Sequence, residues 1–340
     1  MSPVGPSLGA EFPGGYAAGT PASPGPPPAA LPGGYAVSPP ATPRRLPVSA
    51  DLRAATLALA AAATTADRVA PLSEAFLLAL TGERAGTTHL GIGAADGPLL
   101  AYAQVDPTGA TELLVHPAHR RRGLGSALWA AALDHAAATI WAHGDLPSAR
   151  AAATAWGLAR VRELHRMARP LTPADATLLP FPAGFAPRPF RPDVDDQAWV
   201  SLNAAAFAHH REQGRLTLAD LHERLAQPWF DPAGFFLIID EAHPELGPIA
   251  FHWTKREAGP DGSVAAGEVY AVGVHPAYQG RGLGRPLTRL GTAHLAGRGD
   301  RRVELYVDGD NAAALATYRR EGFVSVDIDA MYAVHLPFTS

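Results

Sequence analysis

The 340-residue sequence has no cysteine and three methionines. Without cysteine there are no disulfide staples, thiolate metal sites or thiol nucleophiles, which agrees with a reducing compartment. Charge is sparse and nearly balanced: 28 Lys and Arg against 32 Asp and Glu give a formal net charge of −4. No basic run offers a footprint for nucleic acid. Long apolar runs are also missing. The richest, Ala54 to Ala63, is mostly alanine and is followed by Thr64, Thr65, Asp67 and Arg68, well short of the ~20 residues a membrane span needs. The N-terminus lacks the basic start and Leu-rich core of a secretion signal. The expected location is therefore cytoplasmic, with neither membrane nor nucleic acid as partner. Nor do the histidines replace the missing cysteines. His209, His210, His222 and His252 show no HExxH or paired-ligand spacing, and no metal is expected.

Apolar residues make up 47% of the sequence and charged residues 18%, a globular composition on a chain long enough for two cores. Residues 1–45 are Pro, Gly, Ala and Ser with almost no branched apolar side chains. They cannot bury enough surface to offset ordering, so a disordered tail is expected. Two blocks follow, 46–170 and 188–340, joined by a Pro-punctuated linker at 171–187. In the first block, helical periodicity covers 51–63 and 70–80. Strand patterns follow at 89–92, 99–105 and 112–115, then a helix at 124–138, a strand at 140–142, a helix at 147–156 and an extended segment to 167. In the second, helices at 195–207 and 218–226 precede strands at 235–239, 248–254 and 268–274. A helix at 283–296, a strand at 303–307 and a helix at 312–321 then lead into the last strands.

The blocks are copies of one another. His116-Pro117 and Gly123-Leu124-Gly125 recur 159 positions later as His275-Pro276 and Gly282-Leu283-Gly284. Farther on the offset is 165: Gly144-Asp145 recurs as Gly309-Asp310 and Gly157-Leu158 as Gly322-Phe323. Anchor pairs in the same order mark a duplicated α/β domain.

Each copy carries the same unit, a Val-rich strand, a glycine turn and a helix. In the second copy Val272, Gly273 and Val274 end the strand, and Gln279, Gly280, Arg281, Gly282, Leu283, Gly284 and Arg285 form the turn. Glycines there let the backbone approach a ligand closely and keep N–H groups unpaired. The helix N-terminus behind them favours an anion, and a pyrophosphate is the natural occupant. The turn lacks both the Lys-Ser/Thr of an ATP-binding P-loop and the three-glycine dinucleotide fingerprint.

The turn, together with Asn311, Ala312, Ala313, Ala314, Leu315, Ala316 and Tyr318 and with Glu321-Gly322-Phe323, resembles the GNAT family of N-acetyltransferases. The strings Trp141-Ala-His-Gly-Asp145, Val161-Arg-Glu-Leu164, Asn203-Ala-Ala-Ala-Phe207, Glu212-Gln-Gly214, Trp229-Phe-Asp-Pro232, Phe251-His-Trp-Thr-Lys255 and Gly267-Glu-Val-Tyr270 narrow this. They resemble tandem members of the family that acetylate the cysteinyl amine of a cysteine–glucosamine–inositol conjugate. The resemblance covers about residues 50–335 and implies two GNAT domains, each a mostly antiparallel mixed sheet flanked by helices. It also implies acetyl-CoA as co-substrate and a small-molecule amine as acceptor; separately from the resemblance, a monomer is expected. The 279–285 turn would hold the diphosphate and the 311–316 segment would line the pantetheine arm. Backbone N–H groups of 272–274 would meet the oxyanion. In the first copy Leu113, Leu114 and Val115, with Arg121, Arg122, Gly123, Leu124, Gly125 and Ser126, would hold a CoA-type ligand in the same manner. The resemblance further implies that Glu74, Glu212, Lys255, Glu268 and Tyr306 contact the acceptor.

Laying one copy over the other separates chemistry from scaffold. Tyr318 corresponds to Ala153, Asn311 to Leu146, Tyr306 to Trp141 and Glu268 to Gly109, so the groups able to move protons lie in the second copy. Glu268 is the candidate base and Tyr318 the candidate donor to the departing thiolate. An α-amine of reference pKa about 8 needs only ~1 unit of help near pH 7, while a Tyr of pKa about 10 stays protonated there. Two plainer readings stand beside these roles: a solvated carboxylate at a strand start, and a core tyrosine. Two other functions also stay open: a tandem acetyltransferase for another small amine, and a non-catalytic acyl-CoA sensor.

Overall fold

The computed structural model describes residues 42–81, 85–93, 97–208, 213–258 and 264–334. Local chemistry sets the elements. Ser49 caps helix α1 (Ala50–Asp67) by accepting from the Leu52 amide at 3.0 Å, and Arg68 ends it in the left-handed conformation. In the first copy, α2 (Glu74–Leu78) precedes strands β2 (Thr88–Gly93), β3 (Leu99–Val105) and β4 (Ala110–Val115). Helix α3 (Leu124–Leu133), β5 (Thr139–Ala142), α4 (Pro147–Ala155) and β6 (Leu158–Pro170) complete it. The second copy runs β7 (Phe185–Pro189), α5 (Asp196–Ala206), α6 (Leu218–Leu225), β8 (Phe235–Asp240), β9 (Pro248–Ala258) and β10 (Val264–Val274). It closes with α7 (Gly284–Gly297), β11 (Arg302–Asp308), α8 (Ala312–Arg320) and β12 (Val324–Val334). Among the described residues no helix is long and apolar enough to cross a membrane.

Four local readings change. The helix expected over 70–80 is the single short α2: Pro71 resists helical backbone at the residue before it, and Ser73 stands at the N-cap. The helix expected to reach residue 138 stops at Leu133, and Ala136 turns left-handed at φ +64. There the return to β5 overrides the helix propensity of an alanine-rich stretch. Of the tail, residues 1–41 lie outside the described residues, while Arg44–Arg45 form a two-residue strand, β1, paired with β2. Strand β7 begins inside the expected linker. It lies at the edge of the sheet, where Pro187 and Pro189 withhold no needed donor.

The twelve strands form one sheet in the order β1-β2-β3-β4-β5-β12-β6-β11-β10-β9-β8-β7. Neighbours are antiparallel except β4/β5 and β10/β11. The middle of this order is not what two side-by-side copies would give. β6, from the first copy, pairs with β11 of the second, and β12, from the second, pairs with β5 of the first. The two exchanged strands also pair with each other, from Val324↔Ala168 to Val334↔Leu158. Helices cover both copies: Leu128 and Trp129 of α3 pack on Ile92 and Ala103. Trp199 of α5 sits edge-on to Phe235, Phe251 and Trp253. Helix α7 lies so close over β9 that a Cβ on Gly291 would collide with the fully buried His252 ring.

Candidate active site

Strand β10 organises the site. Its first half pairs with β11 at Gly267↔Val303, Glu268↔Glu304 and Val269↔Leu305, and there the pairing stops. On the other side it stays paired with β9 as far as Val274, with one register shift between Val264 and Gly267 and a second where Tyr270 is the extra residue between Val269↔Thr254 and Ala271↔Trp253. Such a bulge bends the strand and re-aims its side chains. Beyond Val269 the β11 side of β10 has no strand partner among the described residues, and Val272, Gly273 and Val274 lie in that unpaired stretch.

The glycine turn follows directly. Gln279 reaches back to the Val274 carbonyl at 3.3 Å, and Gly280 and Gly282 take φ of +77 and +79. α7 begins at Gly284. A Cβ on Gly280 or Gly284 would meet nothing within 4 Å, so the turn faces open space at a helix N-terminus, which suits a diphosphate. Of the flanking cations, Arg281 lies 4.5 Å over the Tyr278 ring, and Arg285 bonds Glu321 at 2.6 Å. Leu283 is buried beneath the turn. The first copy repeats the backbone: Arg121 and Gly123, the counterparts of Gly280 and Gly282, have φ of +62 and +81. A non-glycine residue held there costs about 1 kcal/mol. This turn opens on a cleft of about 510 Å³ lined by Leu113, Leu114, Val115, Arg121, Gly123, Leu124, Gly125 and Ser126; Arg122 is not part of the lining.

The polar residues gather on the face of the sheet that carries Glu268. Lys255 stands opposite Glu268 in the β9/β10 register and donates to Glu74 at 2.8 Å. Glu74, on α2 of the first copy, thus reaches the second copy's strand. Half-burial pushes the Glu268 carboxyl up to about 7; Lys255 opposes this shift, and Glu74, Glu257 and Glu304 add to it. Burial first, and then the charge of Glu268, push Tyr306 upward; the ring is 47% exposed. Glu212 lies outside the described residues.

Tyr318 is buried, in edge contact with Phe323, and belongs to a cluster with Val269 and Leu305. Those two residues alternate along their strands with Glu268 and Glu304, so Tyr318 and Glu268 occupy opposite faces of the sheet. The β10/β11 pairing ends at Val269↔Leu305, between the two residues. Burial holds the Tyr318 phenol at about 12, and its hydroxyl has no hydrogen-bond partner among the described residues. Asn311 proves to be the N-cap of α8, its carboxamide oxygen accepting from the Ala314 amide at 3.0 Å. Leu315 is buried, and Ala312, Ala313, Ala314 and Ala316 leave the first turns of that helix without bulk.

Two features escaped the sequence reading. One is Tyr270, which donates to Glu74 at 2.8 Å and accepts from Arg224 at 2.9 Å. The other is His143, bonded at 3.0 Å both to Glu112 and to Asp329 of β12. Burial disfavours its charge, but the two carboxylates override that and push the imidazole up to about 10. Nothing in the spacing of these residues signals that they meet. Two of the other histidines named from the sequence have partners of their own. His222 bonds Asp196 at 2.7 Å and His252 bonds the Leu287 carbonyl at 2.8 Å, while His209 and His210 lie outside the described residues.

Two glycine turns, each at the mouth of a parallel pair that splays apart, define a tandem acyltransferase. A family model described as the acetyltransferase (GNAT) family matches residues 59–155 and 197–323. The tandem GNAT protein from the clavulanic acid biosynthesis pathway shares the fold, with TM-score 0.63 and 18% identity over 87% of this chain and 99% of that one. A mycothiol acetyltransferase from Streptomyces bingchenggensis is 47% identical over 81% of this chain and 91% of its own. One from Kineococcus radiotolerans is 49% identical over 84% and 94%. The chain belongs to the GNAT acetyltransferases and, within them, to the mycothiol acetyltransferase family.

Proposed function

We propose that the protein transfers the acetyl group of acetyl-CoA to the cysteinyl amine of a cysteine–glucosamine–inositol conjugate, giving mycothiol, and that the second copy performs the chemistry. The observation that carries this reading is Glu268. It is a half-buried carboxylate poised near neutral pH, beside the opening of β10 and facing Lys255 and a glutamate from the other copy.

In this reading the 279–285 turn grips the diphosphate, and the pantetheine arm runs along α8 towards the gap beyond Val269. The acceptor amine loses its proton to Glu268, directly or through a water. Its nitrogen bonds to the thioester carbon as the C–S bond breaks. The oxyanion formed on the way is met by main-chain N–H groups of 272–274, one such donor being worth about 3–4 kcal/mol. Tyr318 donates a hydrogen bond to the departing sulfur. A phenol held at about 12 is a poor full proton donor to a thiolate of reference pKa about 8.5, so the thiolate leaves hydrogen-bonded and takes its proton from solvent. Glu74, Lys255 and Tyr306, with Glu212, supply acceptors and donors for the hydroxyls of the sugar and inositol. The linker is 171–187, the working domain 188–340 and the partner domain 46–170. The protein acts as a cytoplasmic monomer.

The test is turnover of acetyl-CoA against a panel of amines, followed by thiol release. Preference for the cysteinyl pseudodisaccharide is expected. Acetylation of another amine while this one is refused would overturn the acceptor assignment. Tight CoA binding with no turnover on any amine would point to a sensor.

A further inference from the structure

Tyr270 is the extra residue of the β10 bulge, two positions after Glu268, and its hydroxyl is fully committed. It donates to one Glu74 oxygen at 2.8 Å and accepts from Arg224 Nε at 2.9 Å. Arg224 is itself buried and tied through Nη1 to the Asp220 carbonyl at 2.8 Å. The other Glu74 oxygen receives Lys255 Nζ at 2.8 Å, and that ammonium lies over the rings of Trp229 and Tyr270, 4.9 and 5.5 Å from their centroids. Glu74 therefore stands between two fixed donors of the second copy, although it projects from a five-residue helix of the first. Its side chain stays 29% exposed. Each carboxylate oxygen has room for a second hydrogen bond, so the pair of donors orients Glu74 without using it up.

We propose that Tyr270 is a positioning residue for the acceptor. Anchored by Arg224, its hydroxyl holds the Glu74 carboxylate at the angle from which it reads the hydroxyls of a polyhydroxylated amine. The inference rests on the acceptor reading above. A glutamate on so short a helix has several rotamers of similar energy, and a hydroxyl fixed on a rigid strand selects one of them. Lys255 cannot do this alone, because an ammonium on a flexible stem binds a carboxylate as a point charge from many directions.

The experiment is steady-state kinetics of the full chain with Tyr270→Phe, which keeps the ring over Lys255 and removes the hydroxyl. The acceptor KM should rise about tenfold, as expected for one hydrogen bond to a charged group, while the acetyl-CoA KM is unchanged and kcat falls less than about threefold. In a Glu74→Gln background the same substitution should add little, because the two act as one unit. Arg224→Met, which removes the anchor and leaves Tyr270 in place, should shift the acceptor KM in the same direction; it serves as the second variant should the first lose stability in a thermal scan. The proposal is overturned if Tyr270→Phe weakens both substrates equally, lowers kcat alone, or keeps its full effect when Glu74 is already changed. Should Glu74→Gln raise the acceptor KM while Tyr270→Phe does not, positioning fails and the acceptor reading stands. Should Glu74→Gln leave that KM unmoved, the acceptor reading of Glu74 itself is what fails.

Discussion

Glu268, the proposed base, shows how surroundings set the ionisation of a side chain. Burial raises its pKa to about 7, against the pull of Lys255, so near neutral pH it is divided between base and acid. Activity should follow that ionisation, with kcat/KM rising as pH passes about 7. Glu268→Gln should cost about 10²-fold near pH 7 and less at pH 9, where the amine deprotonates unaided. A defect of constant size across that range would make Glu268 a binder instead of a base. A carboxyl raised in the folded state favours folding only while protonated, so this contribution is complete below about 4.5 and lost as pH climbs through about 7. The glutamine variant should accordingly gain more in Tm over the parent at pH 8 than at pH 5. For Tyr318→Phe, kcat should drop by about 10²-fold with acetyl-CoA binding intact, as isothermal titration would show; equal turnover would remove the hydroxyl from the mechanism. Both residues were reached from the family resemblance and by comparing the copies, whereas Tyr270 and Arg224 were singled out by neither. The place of Tyr270 comes from a bulge that no residue pattern announces.

The glycine turn was readable because its chemistry is local. Strand, turn and helix are consecutive, and left-handed φ at Gly280 and Gly282 is what glycine permits. Gly282→Val should therefore raise the acetyl-CoA KM by at least about tenfold, because a β-branched residue resists that backbone; an unchanged KM would mean that the turn does not hold the diphosphate. Gly123→Asp, at the matching place in the first copy, should leave kcat for the acceptor nearly intact. Loss of turnover with the fold preserved would give the first copy a part in the chemistry. Element ends were less readable. α3 ends at Leu133 although alanines continue, because β5 must come back beside β4, and that demand lies outside the helix's own sequence.

At the scale of the whole molecule, the exchanged strands β6 and β12 join the two copies into one sheet. His143 marks that junction, holding Glu112 of one copy and Asp329 on the strand supplied by the other. Its pKa, raised from 6.5 to about 10, favours folding fully below pH 6.5, and that contribution is lost as pH rises through about 10. His143→Gln should destabilise the protein by about 3 kcal/mol near pH 7, because the buried Glu112 and the half-buried Asp329 lose their cation. It should also flatten the pH dependence of unfolding between 6.5 and 10; a variant that keeps the parent's slope would show that the imidazolium is not the titrating group. The sequence by itself determined the duplication, the two glycine turns and the copy that holds Glu268 and Tyr318, since each depends on neighbouring residues or on one copy set against the other. Only the tertiary structure decided that the copies trade their last strands and that Glu74 crosses to Lys255 and Tyr270, or that His143 bridges Glu112 and Asp329. Those pairings join residues as much as 196 positions apart, and their energy comes from burial and charge that exist only once the chain has folded.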